Sequence, residues 1–537
     1  MYHRHRRERC GERAAAHWEE GMDRQVTTRL LGIALFGALM GQQALAQKAQ
    51  DTLRIGAYQP IAIIDAIHDP QPQSNLMDRV VFDTLVTYDS DNRKIVPSLA
   101  ESWSQIDPQT YEFKLRKDVK FHDGVPMDAD DVVYTVNFVI SPESKFRFKE
   151  QRFGQFAGAE KIDQYTVRIK TKTVFAPFLP RLTTILPIFP SKLHSKLADK
   201  AAFGRAPIGT GPYKAIQVDP NKGVILVKNP DFRHASAGQP AAKIGKILIE
   251  PVPDTQTQLA RMMVGQQDLM YDVPNDVANA LRSNPALQIS VRPSIQFTYL
   301  ALDAAGRTPN SPFKDKRVRE AIIRAIDQKA ITNALQPKEI AEMPFQIGMC
   351  HPWHMACATT VPPAAYNPDL ARKLLEEAGV KDLKFSIAAW GPSRPVAEAV
   401  TGQLRKIGVN ASVDSLTINA FVGKRQAGEL QAFLVLWDNG GGTPDVESTA
   451  GFFYEPGDRN YNGDKELSDL MEKGQAELDP AKREELYRLM FNRANEQSYS
   501  MPISPLASVL AHSKDLKIPV GGTKKPEGFM FNLLEWN

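Results

Sequence analysis

LKFSIAAWGPSRPVAEAVTGQLRKIGVNASVDSLTINAFVGKRQAGELQAFLVLWDNG, residues 383–440, decides the fold. LKFSIAAW (383–390), VNASVDSL (409–416) and AFLVLW (432–437) read as strands. Between them, Val396–Ile407 has helical periodicity and is closed by Gly408, and a shorter helix is expected around Ile418–Gln426. A β-α-β-α-β succession implies a parallel sheet with right-handed crossovers, hence an α/β fold. Ligands of such sheets sit outside the carboxyl ends of the strands. Two of these strands end on tryptophan, Trp390 and Trp437.

Trp390 leads into Gly391, Pro392, Ser393, Arg394 and Pro395; Trp437 leads into Asp438, Asn439 and the glycines from Gly440 to Gly442. One sheet edge would then carry two indoles, a fixed cation and a fixed anion. A cation at a helix start opposes the helix dipole, so Arg394 makes more sense gripping a carboxylate, which a guanidinium holds bidentately. Asp438 mirrors this for an ammonium group, and the glycines permit close backbone approach. A small zwitterion would satisfy both ends. The competing readings are a packed tryptophan, a turn-forming aspartate and a solvated arginine.

At 537 residues the chain exceeds one compact core, so two or three domains are expected. Arg24 and Arg29 precede the apolar run LLGIALFGALM (30–40), and Ala44, Leu45 and Ala46 follow. That is a secretory signal, with Gln47 the expected first mature residue. The run is short of the roughly 20 residues of a membrane span. Either Met1 or Met22 serves as the start. The formal charge of +4 falls to +2 once residues 1–46, with 7 basic and 5 acidic side chains, are removed. No basic run interleaved with aromatics occurs in the body, so nucleic acid is not an expected partner.

Export governs the cysteines. Cys10 leaves with the leader, and no cysteine stands at the cleavage site for a lipid anchor. Cys350 and Cys357, in CHPWHMAC, form an even pair in an oxidising compartment and are expected to be joined. A metal site built from them with His351 and His354 has suitable donors. Its spacing fits no usual zinc pattern, and Pro352 stiffens the loop, so no metal and no cofactor are expected.

Elsewhere, YEFKLRKDVKF (111–121) and EKIDQYTVRIKTK (160–172) alternate like strands. A helix from Ala129 to Ile140 starts at Asp128, with Asp131 placed to complete a capping box. Gly209-Thr210-Gly211-Pro212-Tyr213 is no phosphate loop, because a hairpin rather than a helix follows. Asp315 opens a helix, and Asn367 caps another that begins with Pro368 and ends at Gly379.

Four stretches, residues 80–133, 209–233 (GTGPYKAIQVDPNKGVILVKNPDFR), 312–331 (PFKDKRVREAIIRAIDQKAI) and 366–379 (YNPDLARKLLEEAG), make the mature chain resemble one family. It is that of the dipeptide- and oligopeptide-binding periplasmic proteins of ABC transporters, the extracellular solute-binding proteins of family 5. The resemblance implies a two-lobed periplasmic-binding-protein clamp with an extra subdomain, about 80–205, on the first lobe. After the leader, 1–46, the first lobe would span 47–296 and the second 297–500, with 501–537 returning to complete the first. It implies a monomer that captures short peptides in the periplasm and delivers them to an inner-membrane permease and ATPase complex. SRPVAEAV places the carboxylate grip on Arg394. WDNGGGTPD places the ammonium partner on Asp438, or on Asp445 after Pro444, with Trp390, Trp437, Asn439 and Gly440 alongside. Family members also take nickel chelates and opines, so receptors for those solutes are the near alternatives. A secreted peptidase is the distant one: neither G-x-S-x-G nor H-E-x-x-H occurs, and no enzyme activity is expected.

Overall fold

The structure, a computed structural model, describes residues 50–537 apart from 66, 70–71, 90–91, 147–148, 185, 237–238, 342–347, 438–442 and 520–529. The chain opens with β1 (Thr52–Ala57) and reaches the hairpin β2 (Val86–Asp89) and β3 (Lys94–Pro97). A separate antiparallel sheet follows, made of β4 (Ala100–Asp107), β5 (Thr110–Leu115), β6 (Phe156–Asp163) and β7 (Thr166–Thr171) in the order β4-β5-β7-β6. Helix α1 (Ala129–Ile140) packs on it, buries Val132, Val136 and Val139, and carries the expected capping box between Asp128 and Asp131. The run 160–172 is not one strand. It holds the turn of the β6–β7 hairpin, because the Asp163 carboxylate accepts the Tyr165 N–H at 2.8 Å and reverses the chain.

The main sheet gathers β8 (Tyr213–Asp219), β9 (Gly223–Lys228), β10 (Lys246–Pro251), β11 (Leu269–Met270), β12 (Leu287–Leu302), β13 (Lys384–Ala389), β14 (Asn410–Ser415), β15 (Ala432–Trp437) and β16 (Ser500–Ser513). With β1 they form ten strands in the order β14-β13-β15-β12-β16-β11-β1-β10-β9-β8. β13 runs parallel to both β14 and β15, the arrangement expected from residues 383–437. β15 is apolar throughout because both its faces are covered. The crossover helices are α2 (Arg394–Arg405), which turns Val396, Ala397, Val400 and Leu404 inward, and α3 (Ile418–Ala427).

Two cores lie at opposite ends of this sheet. One centres on Leu53, Ile55, Phe113, Val136 and Phe189, the other on Leu300, Ile322, Ile387, Val400 and Leu434. Only β12 and β16 run through both ends. They pair antiparallel from Leu287 with Ser513 to Ala301 with Ser500, with register breaks between Pro293 and Phe297 and between Thr298 and Tyr299. This is the two-lobed clamp. The expected divisions at 296/297 and 500/501 fall inside β12 and at the first residue of β16.

The 209–213 segment closes on backbone. Gly211 N–H donates to the Val81 carbonyl, His122 N–H to that of Gly209, and Gly209 N–H to His122 Nδ1. A Cβ on Gly209 would stand 2.0 Å from the Val81 carbonyl oxygen. Gly209→Ala is therefore expected to lower the thermal midpoint sharply or abolish soluble expression; an unchanged midpoint would show that this loop can shift without cost.

Candidate functional site

Because β13 and β15 are parallel neighbours, their carboxyl ends share one edge, as the sequence implied. Arg394 stands there at the first position of α2. Among the described residues its guanidinium pairs with Glu398, one turn along, at 2.9 Å, and the two side chains are 61% and 54% exposed. Such an exposed pair holds weakly, so this cation is free to turn to a ligand. Trp390 is half-buried and lies against the second lobe's aromatic core. Trp437 is deeper, 4% exposed, with its ring 4.4 Å from that of Phe452 and 5.2 Å from that of Phe453. It is a packed core residue rather than an open platform, although its Nε1 has no partner among the described residues. Asp438, Asn439 and Gly440 lie outside the described residues.

Asp445, the alternative ammonium partner, is already engaged. It is fully buried, and Arg483 of helix α5 (Pro480–Glu496) donates to both its oxygens at 2.6 and 2.7 Å. Its Oδ1 also accepts the Glu447 N–H, and so fixes the start of α4 (Glu447–Tyr454). Burial alone would lower the Arg483 pKa, but the charge and hydrogen bonds of Asp445 outweigh it and raise it. The pair is separated by 38 residues in sequence, and no local pattern announces it.

Cys350 and Cys357 are joined by a disulfide. The loop they close lies against the β15 exit: Met355 N–H donates to the Pro444 carbonyl, and Val446 N–H returns a bond to the Met355 carbonyl. From the first lobe, Arg93 after β2 donates to the carbonyls of Pro352 and His354 at 3.1 and 3.4 Å. His354 is buried and His351 half-buried, and desolvation favours the neutral form of both. Burial, then the neighbouring His354, pulls His351 down to about 3; burial, then the Arg93 charge, does the same to His354. Among the described residues, no group of three or more histidine, cysteine or acidic side chains could hold a metal ion.

A second inter-lobe contact flanks the first. Arg181 grips both oxygens of Glu447 at 2.7 and 3.1 Å while donating to the carbonyls of Gln151 and Arg152 in its own lobe. Gln475 completes Glu447, and its carbonyl accepts the Ala176 N–H. A cavity of about 640 Å³ adjoins this contact, between Gln155, Thr173 and Phe175 on one side and Glu455, Met471 and Glu472 on the other. None of the candidate ligand residues lines it. Arg93, Arg181, Glu447 and Arg483 were not singled out from sequence, since each acts through a partner far along the chain.

A clamp with a ligand edge at the seam is the architecture of a solute receptor, and comparison with known proteins places it. Residues 94–461 match the model of the bacterial extracellular solute-binding proteins, family 5 (middle region), and the chain belongs to that family. Its members are binding components of transport, not enzymes. Di/tripeptide-binding protein 1 of Pseudomonas aeruginosa is 25% identical over 459 residues, covering 80% of this chain and 83% of that protein. The nickel-binding periplasmic protein of Escherichia coli is 26% identical over 478 residues, covering 83% and 87%. In fold, the chain is similar to the periplasmic binding protein DppA of Helicobacter pylori, solved with the peptide STSA. The TM-score is 0.72 at 21% identity, over 91% of this chain and 99% of that one. No helix among the described residues is long and apolar enough to cross a membrane.

Two outcomes follow from the buried groups. Asp445→Asn strands the Arg483 charge without water and should cost about 3–5 kcal/mol, read as a lowered denaturation midpoint; a loss under 1 kcal/mol would mean that the loop is held by other contacts. The second is an acid instability. His122 and His194 sit at about 4 and His351 and His354 at about 3, all below the ordinary 6.5 through burial. The unfolded chain binds these protons below about pH 6.5, whereas the folded chain refuses them until pH 3–4. Stability is full above that upper limit and falls as pH drops through the window, by about 1–2 kcal/mol per ring at pH 5. Urea midpoints measured from pH 8 to 4 check it; a flat profile would contradict the neutral burial of these rings.

Proposed function

We propose that this chain is the periplasmic receptor of a peptide importer. It takes up short peptides at the seam between its lobes and presents them, as a monomer, to an inner-membrane ABC permease and ATPase. The observation that carries this reading is Arg394, a cation on the candidate ligand edge paired, among the described residues, with one exposed neighbour, Glu398. The di/tripeptide-binding relative supports a peptide as the ligand class. The leader read from residues 1–46 supports the periplasm as the compartment. Arg394 would take the peptide carboxylate, Asp438 the ammonium group, and Trp390, Asn439 and Gly440 would line the intervening length. Asp445 supports the site from behind through Arg483.

A thermal-shift screen of the exported protein against dipeptides, longer peptides, glutathione, opines and nickel chelates tests the ligand class. Ligand at 100 times its dissociation constant adds about 2.7 kcal/mol of stability. Arg394→Ala should weaken a free-acid peptide at least tenfold and its C-terminal amide much less, since a buried carboxylate without its partner costs about 2–5 kcal/mol. Equal losses for acid and amide in calorimetry would make Arg394 structural. Glu447→Gln tests closure separately. It removes one charge of the inter-lobe bridge and should weaken every ligand alike, by about tenfold, whereas unchanged affinities would mean that the bridge does not contribute to the closed state.

A further inference from the structure

Buried polar groups almost always find a partner, so those without one are informative. Several donors in the second lobe have none among the described residues, and three of them belong to elements that reach the candidate ligand edge: Nε1 of Trp437, Oγ of Ser393 and Nε2 of His354. The Trp437 ring is wedged among phenylalanines, and the Ser393 hydroxyl can rotate. His354 differs from both, because its donor is fixed. Its Nδ1 faces the His351 N–H at 3.2 Å and must accept, so in the neutral ring the proton sits on Nε2. The ring is 2% exposed, and burial keeps it uncharged.

The loop that carries it is held on three sides. The disulfide ties its ends, Met355 pairs with the backbone on either side of Asp445, and Arg93 of the opposite lobe binds the His354 carbonyl. A donor so fixed, in a loop that both lobes touch, is suited to orienting a ligand rather than to packing.

We propose that His354 Nε2–H donates to an oxygen of the bound solute, a peptide carbonyl or terminal carboxylate, and thereby sets its position in the seam; this rests on the peptide reading above. Closure without a solute oxygen leaves the donor buried and unpaired, which disfavours the closed state. A solute that supplies the oxygen removes that penalty, so His354 favours closure over a correctly placed acceptor. A protonated ring would instead set a second positive charge beside Arg93, so the neutral form is the one suited to the role.

The test uses the exported protein labelled with 15N-histidine, with dialanine, trialanine, glutathione and nickel–histidine as probes. The His354 Nε2–H signal is identified by its loss in His354→Phe. A binding probe should move that proton downfield and slow its exchange with water. His354→Phe should weaken the same probe at least tenfold while the thermal midpoint of the unliganded protein holds or rises, and His354→Gln, whose amide can donate, should recover part of the loss. A probe that binds without moving the signal overturns the assignment, as does unchanged affinity in His354→Phe. A midpoint that falls in step with affinity in both variants also overturns it, marking a packing role. If both peptides fail while nickel–histidine binds and moves the signal, the peptide reading fails and the His354 donor stands.

Discussion

Arg483 and Asp445 meet where water does not reach, and the geometry of the ligand edge depends on that meeting. Two opposite charges taken out of water must satisfy each other fully, because either one alone would be strongly destabilising. Here the guanidinium closes on both carboxylate oxygens and spends a further N–H on the Gly474 carbonyl. Fixing Asp445 fixes what is bonded to it. Its side chain caps α4 and so aims Glu447 at Arg181; the backbone on either side of it receives Met355 and so seats the disulfide loop under Arg93. Two of the inter-lobe contacts, those of Arg93 and Arg181, thus trace back to one buried pair within the second lobe.

The lobes themselves are joined by the most economical device a sheet allows. β12 and β16 run as one antiparallel pair through both ends of the ten-stranded sheet, so no flexible linker is needed to keep the lobes in register. The register breaks around Pro293–Phe297 and Thr298–Tyr299 interrupt the ladder locally, and a hinge motion is absorbed at such points with little loss of hydrogen bonding elsewhere. An opening about these breaks would part Arg93 from the disulfide loop and Arg181 from Glu447 together, because the members of each pair belong to elements packed on different cores.

Local chemistry explains which parts were legible in the sequence. The parallel trio was readable because its strands are apolar runs set between helices with clear stops, and Asp128, Asp315 and Asn367, read as helix starts, each accept a first-turn amide. β12 was not readable as one strand of 16 residues, since Pro293 interrupts it and its alternation changes where it passes from one lobe to the other. The hairpin within 156–171 was hidden because its turn uses an aspartate and no glycine. At the site, the edge and Arg394 were legible from strand order, whereas the commitment of Asp445 depended on an arginine that only tertiary packing brings near. Trp437 shows the same limit: an indole at a strand end reads alike whether phenylalanines from the next helix or a ligand will cover it.

On the proposed reading, the exposure of Arg394 bears on how a carboxylate would be recognised. Arg394 faces water and holds Glu398 in a pair worth about 0–1 kcal/mol, so little is lost when it turns to another carboxylate. In the open clamp that new contact is equally weak, because the surrounding water screens it. On the peptide reading, a bound solute that covers Arg394 would displace that water, so the same contact would lie in a lower dielectric and strengthen several-fold. A solute that brought an oxygen to both Arg394 and His354 would satisfy the two groups together, so on this reading discrimination would arise as the solute is covered rather than at its first encounter with the edge.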